Sequence, residues 1–244
     1  MSQCFWHRSG LIFVLTITVA VSCSRPARDP LPGIPRLILW AWERPENLTF
    51  IVPETTGVAF LAETVFLNER GFTFRPRMQP LRVPPGTPLI AVVRIESRGP
   101  ANASVEEVAR QMLRVTEQPG VKVLQIDYDA RFSDRTFYGR LLGELRKRMR
   151  PDMPLEMTAL VSWCLSDDWI RRLPVADAIP MFFRMGVDPH RISERLREPL
   201  CQSSVGVSMD ENYRDTPRNR RVYVFSPRSW IESDYRALLG ELSR

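Results

Sequence analysis

Eight apolar, strand-like runs recur from residue 37 onward, and their spacing limits the possible folds more than any other feature. They are LILWAWE (37–43), GVAFLAETVFL (57–67), LIAVVRIES (89–97), VKVLQIDYD (121–129), LEMTALVSWCL (155–165), AIPMFFRM (178–185), SSVGVSMDE (203–211) and RRVYVFSP (220–227). Several intervening segments have helical periodicity. Ser104 with Glu107 three residues on makes a capping box at the head of 104–117. In 133–150, Phe137, Leu141, Leu142 and Leu145 share one stripe and the last turns are basic. Residues 229–242 form a final amphipathic helix, and a shorter one follows the sixth run. The stretch 68–88, rich in proline and aromatics, reads as an irregular excursion. Buried strands separated by mostly helical crossovers predict an α/β fold, a slightly irregular (β/α)8 TIM-like barrel. The rival is an open doubly wound sheet, but no Gly-rich phosphate loop follows the first strand.

A chain of 244 residues with 44% hydrophobic content suits one such barrel over residues 37–244. The first 22 residues stand apart. Arg8 precedes the apolar run LIFVLTITVAV, which is too short to span a bilayer comfortably, and Ala20-Val21-Ser22-Cys23 follows. That is the layout of a secretory signal. AVSC is similar to the bacterial lipobox, which implies that Cys23 is lipidated and that the domain works in the periplasm or outer membrane, or is secreted. Residues 23–36 hold four prolines and read as a tether. Cys164 and Cys201 are expected at opposite faces of the barrel, too far apart to pair. The 34 basic against 28 acidic residues give a net charge of +6, but no dense basic block stands out, so no nucleic-acid partner is expected.

In such barrels the active site forms at the C-terminal ends of the strands, and side chains alternate between interior and exterior. Parity then selects candidates. The first run ends in Trp40, Trp42 and Glu43, and Glu63 ends the second. Arg94 and Glu96 share a face of the third; Gln125, Asp127 and Asp129 share a face of the fourth, opposite Leu124, Ile126 and Tyr128. Thr158, Ser162 and Trp163 fall on the fifth, Arg184 on the sixth, and Asp210 with Glu211 on the seventh. A barrel interior that only packs would carry Val, Ile or Leu, so this polar stripe predicts a solvated, charged mouth.

Paired carboxylates beside tryptophan suit glycan chemistry. A glycosidase needs one carboxylic acid to protonate the leaving oxygen and a second carboxylate as base or nucleophile. Asp127 or Asp129 with Asp210 or Glu211 are the candidates for that pair. Trp40 and Trp42 would stack on sugar rings, and Glu43, Glu63, Arg94, Glu96, Thr158, Trp163 and Arg184 would line the site. The alternative is a non-catalytic envelope protein that binds a glycan or a protein partner. The mature chain has one histidine, His190, which argues against histidine-based zinc or triad chemistry. No cofactor is expected, although a hard cation on Asp127, Asp129 and Asp210 is a second possibility.

LQIDYDAR resembles the fourth-strand signature of chitinase-type barrels, DxxDxDxE. Asp127 and Asp129 match its second and third acids, Leu124 replaces the first, and Arg131 stands where the catalytic glutamate would be. Over residues 37–240 the chain more closely resembles an uncharacterised bacterial family, domain of unknown function 3142. The resemblance rests on ILWAWERPENL, GVAFLAETVFL, FRPRMQPL, QIDYDARFSDRTFYGRLLGELR, LEMTALVSWCL and MFFRMG. It implies a glycosidase-like barrel, with Trp40, Trp42, Glu43, Asp127, Asp129, Thr158 and Trp163 among its motif positions, and it implies no particular activity.

Overall fold

The computed structural model of the chain describes residues 29–99, 102–183, 196–211 and 219–242. The leader 1–22, Cys23, Arg184 and His190 lie outside the described residues. The strands are β1 (Leu37–Ala41), β2 (Glu46–Asn47), β3 (Thr56–Asn68), β4 (Gly71–Pro76), β5 (Leu81–Arg82), β6 (Leu89–Ser97), β7 (Val121–Asp127), β8 (Leu155–Ala159), β9 (Asp177–Pro180), β10 (Ser204–Ser208) and β11 (Arg221–Phe225). The helices are α1 (Val105–Leu113), α2 (Arg135–Arg148), α3 (Val161–Leu165) and α4 (Glu232–Leu242).

Eight strands pair in parallel in the order β10-β11-β1-β3-β6-β7-β8-β9. The ring closes between β9 and β10 through one bridge, Met181 to Gly206, where the Phe182 N–H donates to the Gly206 carbonyl at 2.8 Å. Gly206 permits this approach, because a Cβ there would collide with the Met181 sulfur. The result is the expected TIM-like barrel, nearly closed. Each of the eight apolar runs overlaps one of these strands.

Two segments depart from expectation. The fifth run stays extended only to Ala159, and VSWCL then turns into α3, burying Val161 and Cys164 three residues apart on one helical face. Eleven residues in one strand would span roughly 36 Å, far more than the wall of an eight-stranded barrel needs. The excursion at 68–88 is ordered: β4 folds back antiparallel on the long β3, and β5 makes a short ladder with β2.

Side-chain parity sorts the core into two layers. Leu39, Phe60, Val93, Leu124, Ile126 and Met157 point outward to the helices, where they meet Val108, Met112, Leu141, Leu142 and Leu238. Ile38, Trp40, Ala59, Leu61, Ile90, Val92, Val123, Ile179, Tyr223 and Phe225 fill the barrel. Residues 29–36, expected to be a free tether, plug the N-terminal end: Leu31 is fully buried and Ile34 nearly so. The buried Arg221 holds this plug, donating to the Pro35, Leu31 and Ile34 carbonyls at 3.0 to 3.2 Å and pairing with Asp29 at 3.1 Å.

The cysteine expectation is overturned. Cys164 and Cys201 form a disulfide, with Cα atoms 5.9 Å apart. Because α3 replaces the end of the fifth run, Cys164 folds back outside the barrel to meet the turn Pro199–Cys201 that precedes β10.

Candidate functional site

The C-terminal ends of β6, β7 and β8 bring the expected polar stripe together. Arg94 and Asp127 are register partners on β6 and β7, and Arg94 Nη1 lies 3.3 Å from Asp127 Oδ2. On the other side Thr158 Oγ1 donates to Asp127 Oδ1 at 2.9 Å. The same guanidinium reaches Glu96 at 3.5 Å and stands 5.8 Å from the Trp42 ring centre, a cation–π approach. Asp127 is only 15% exposed, whereas Asp129, two residues on and past the end of β7, is exposed. Burial pushes the Asp127 carboxyl above its ordinary range, against the pull of Arg94 and the Thr158 hydroxyl, and the charge of Asp129 pushes it further. A cleft of about 270 Å³ opens here, lined by Arg94, Glu96, Arg98, Asp127, Asp129 and Arg131 among others.

Gln125 and Asp127 thus point inward, Asp129 is exposed at the cleft just past the end of β7, and Leu124, Ile126 and Tyr128 pack on the helical layer. Arg131, at the place of the chitinase-type acid, is exposed on the cleft wall. Asp210 and Glu211 follow the end of β10, on the far side of the mouth from β7, with the Ser208 hydroxyl donating to Asp210.

Other expected site residues have structural positions. Glu63 faces the helices: a bulge between Leu61 and Glu63 shifts the register of β3 on β6, and Glu63 Oε2 accepts from the Gln111 side chain on α1 at 2.8 Å. Thr64, not Glu63, becomes the register partner of Arg94. Trp40 lies fully buried below the mouth, stacked on Phe225 with ring centres 4.3 Å apart, so it is a floor and not a sugar platform. Trp42, half-buried above it, is the tryptophan that reaches the mouth. Glu43 is occupied by the Met78 and Gln79 amides at 2.8 and 3.1 Å. Trp163 sits in α3 with its ring edge-on to Trp169, outside the barrel, and Ser162 lies on the same helix. Arg184 lies outside the described residues.

Two features go beyond the residues expected from the sequence, of which the second shares only Gln125 and Ser204 with the inward faces read there. Arg77 braces the mouth, donating to the Trp42 and Arg44 carbonyls at 2.7 Å each and to Gln79 at 2.9 Å. Deeper, a polar belt crosses five adjacent strands: Gln125, Glu156, Asp177, Ser204 and Arg221. Glu156 accepts from Gln125 at 3.0 Å and from the Tyr223 hydroxyl at 2.8 Å, and Ser204 donates to Asp177. Burial, with the charge of Asp177, pushes Glu156 up to about 8; burial pushes Asp177 up to about 7. The inward parity of Glu156 and Asp177 is readable from the strand pattern. Both lie toward the N-terminal ends of their strands, however, away from the end where barrel active sites form. Among the described residues no group of three His, Cys, Asp or Glu side chains could hold a metal ion.

No family model matches the chain, and no curated protein matches it in sequence. Among solved structures, it is similar to a candidate chitinase A from Streptomyces coelicolor, with 10% identity, a TM-score of 0.53, and coverage of 84% of this chain and 94% of that one. The catalytic domain of a hyperthermophilic chitinase from Pyrococcus furiosus also matches, with 12% identity, a TM-score of 0.45, and coverage of 79% and 84%. The likeness is one of fold alone: the chain shares a TIM-like barrel with the first of these structures.

Proposed function

We propose that the protein is an extracytoplasmic, carbohydrate-active hydrolase that cleaves an oligo- or polysaccharide at the C-terminal mouth of the barrel. One observation carries the reading. Asp127, shielded and held between Arg94 and Thr158, adjoins an exposed Asp129 at the open end of the fourth barrel strand, beside Trp42. Two neighbouring carboxyls in unlike environments are the raw material of acid–base division of labour. Asp127, its carboxyl pushed above the ordinary range by burial, is the member suited to carry the proton. Asp129 reaches the cleft and supplies negative charge as an oxocarbenium-like centre develops. Asp210 or Glu211, across the mouth, is the second carboxylate. Trp42 offers an apolar face to a sugar ring, with Arg94 and Glu96 as polar contacts at its edge.

The Cys164–Cys201 disulfide supports an oxidising location outside the cytoplasm, as the leader and the AVSC motif suggest. Cys23 would then be the lipid anchor, and Cys23→Ser should move the protein from membrane to soluble fractions.

A second reading is favoured by Arg131. A cation in place of the chitinase-type acid suits a barrel that binds a glycan without cutting it. A screen of the mature protein against a panel of glycans separates the two, scoring both new reducing ends and retardation in glycan-containing gels. Hydrolysis supports the first reading and retardation alone the second; neither result removes saccharide from the account.

A further inference from the structure

The pole of the barrel opposite the mouth carries a larger hollow. It encloses about 830 Å³ and lies among the N-terminal ends of the strands, between the plug residues Asp29 to Ile34 and the approaches to β7, β8 and β9. Lys122, Arg146 and Arg150 contribute its cationic side chains, and Pro32, Pro151 and Pro174 part of its apolar wall. The fold gathers positive charge around it that looks dispersed along the chain. Lys147 and Arg148 continue the end of α2, and Arg36 precedes β1 with its side chain exposed.

Nearby anions do not balance these cations. Glu144 is shared between Lys147 at 3.4 Å and Arg148 at 2.5 Å. Asp152 meets Arg150 at 3.5 Å with both side chains largely in water. Asp29 is turned to Arg221. Arg146 is engaged with the backbone, donating to the carbonyls of Met149, Arg150 and Met153, which closes the end of α2. Lys122, Lys147, Arg148, Arg150 and Arg36, set against Glu144 and Asp152, leave this pole a net basic surface.

The chain's own connectivity says what this surface meets. Asp29 is pinned to the barrel, and five residues, 24–28, lie between it and Cys23. Fully extended, the six steps from Cys23 to Asp29 reach about 20 Å. On the anchor reading proposed above, on which this inference rests, the hollow is therefore held within that distance of a bilayer, with the mouth at the opposite pole. A barrel on so short a tether has little room to turn over.

We propose that the basic pole is a membrane-facing surface that binds the phosphate headgroups of anionic lipids, seating the barrel with its mouth directed away from the bilayer. Lys122 and Arg150, at the rim of the hollow, and Lys147 beside it would contact the phosphates. Basic groups close to an anionic bilayer each add to binding and lose effect beyond a Debye length, so the contact is salt-sensitive.

The test uses the mature chain from residue 23 onward carrying Cys23→Ser, so that neither the apolar leader nor an acyl group contributes. It is sedimented with vesicles of pure phosphatidylcholine and with vesicles containing phosphatidylglycerol. Binding to the second alone, weakened at least tenfold between 50 and 500 mM salt, is expected. Lys122→Ala, Lys147→Ala and Arg150→Ala should each weaken it about fivefold, from roughly 1 kcal/mol per basic group. Free inorganic phosphate at millimolar level should not compete, whereas its competition would assign the hollow to a soluble phosphate. Equal binding to both vesicles, or no loss in the triple variant, would overturn the proposal. An unlipidated Cys23 would overturn the anchor alone, because the vesicle measurement does not use it.

Discussion

Arg94 and Asp127 stand as register partners on neighbouring barrel strands, and one guanidinium nitrogen lies 3.3 Å from the carboxylate while Thr158 holds the other oxygen. Burial pushes the carboxyl above its ordinary range, and these two donors pull against it. Arg94→Met removes the cation and leaves burial and Asp129, which favour the protonated form, opposed by the Thr158 hydroxyl alone. The Asp127 pKa, followed by carboxyl carbon NMR, should therefore rise relative to the parent protein. A value unchanged by the substitution would show that Arg94 does not set the state of Asp127.

The two tryptophans of the first strand should separate cleanly. Trp40 is fully buried against Phe225, so Trp40→Ala should destabilise the fold by about 3–5 kcal/mol in denaturant titration. Trp42→Ala should cost much less stability, yet weaken saccharide binding at least tenfold, because its ring reaches the mouth.

Glu156 and Asp177 predict how stability varies with pH. Both carboxyls have folded values raised above their unfolded ones, to about 8 and about 7, by burial in the belt. The folded state thus holds protons that the unfolded chain releases. Their stabilising contribution is complete below about pH 4 and is lost as pH rises toward 8, by on the order of a few kcal/mol. The denaturation midpoint should fall between pH 5 and pH 8.5. Glu156→Gln, which keeps partners for Gln125 and Tyr223, should flatten that slope, and an equally steep slope in the variant would place the proton elsewhere.

The Cys164–Cys201 bridge closes a loop of 37 residues in sequence separation. Chain-entropy arguments give such a loop roughly 4 kcal/mol of stabilisation. Reductant, or paired Cys164→Ser and Cys201→Ser, should lower the unfolding free energy by about 2–4 kcal/mol. No shift would mean that the unfolded chain is not constrained by the bridge.

What could be read from the sequence followed from periodicity. The eight strands and the inward placement of Gln125 and Asp127 are properties of alternating side chains, which the chain displays directly. What could not be read depended on events that break period two. The bulge before Glu63 turns that carboxylate outward to Gln111 without any local signal in GVAFLAETVFL. The turn from strand to helix after Ala159 carried Trp163 out of the barrel and brought Cys164 to Cys201. The long-range partners of Glu43 and Arg77 come from tertiary packing that no short motif encodes.

The central claim is that the Asp127–Asp129 pair performs glycan hydrolysis, and the most direct measurement is reducing-end release by the parent protein beside Asp127→Asn and Asp129→Asn. On a glycan that the parent protein cleaves, each variant should lose about a hundredfold or more in kcat, with its thermal midpoint near that of the parent protein. Undiminished hydrolysis in both folded variants, or glycan binding with no release by any of the three proteins, would contradict the claim.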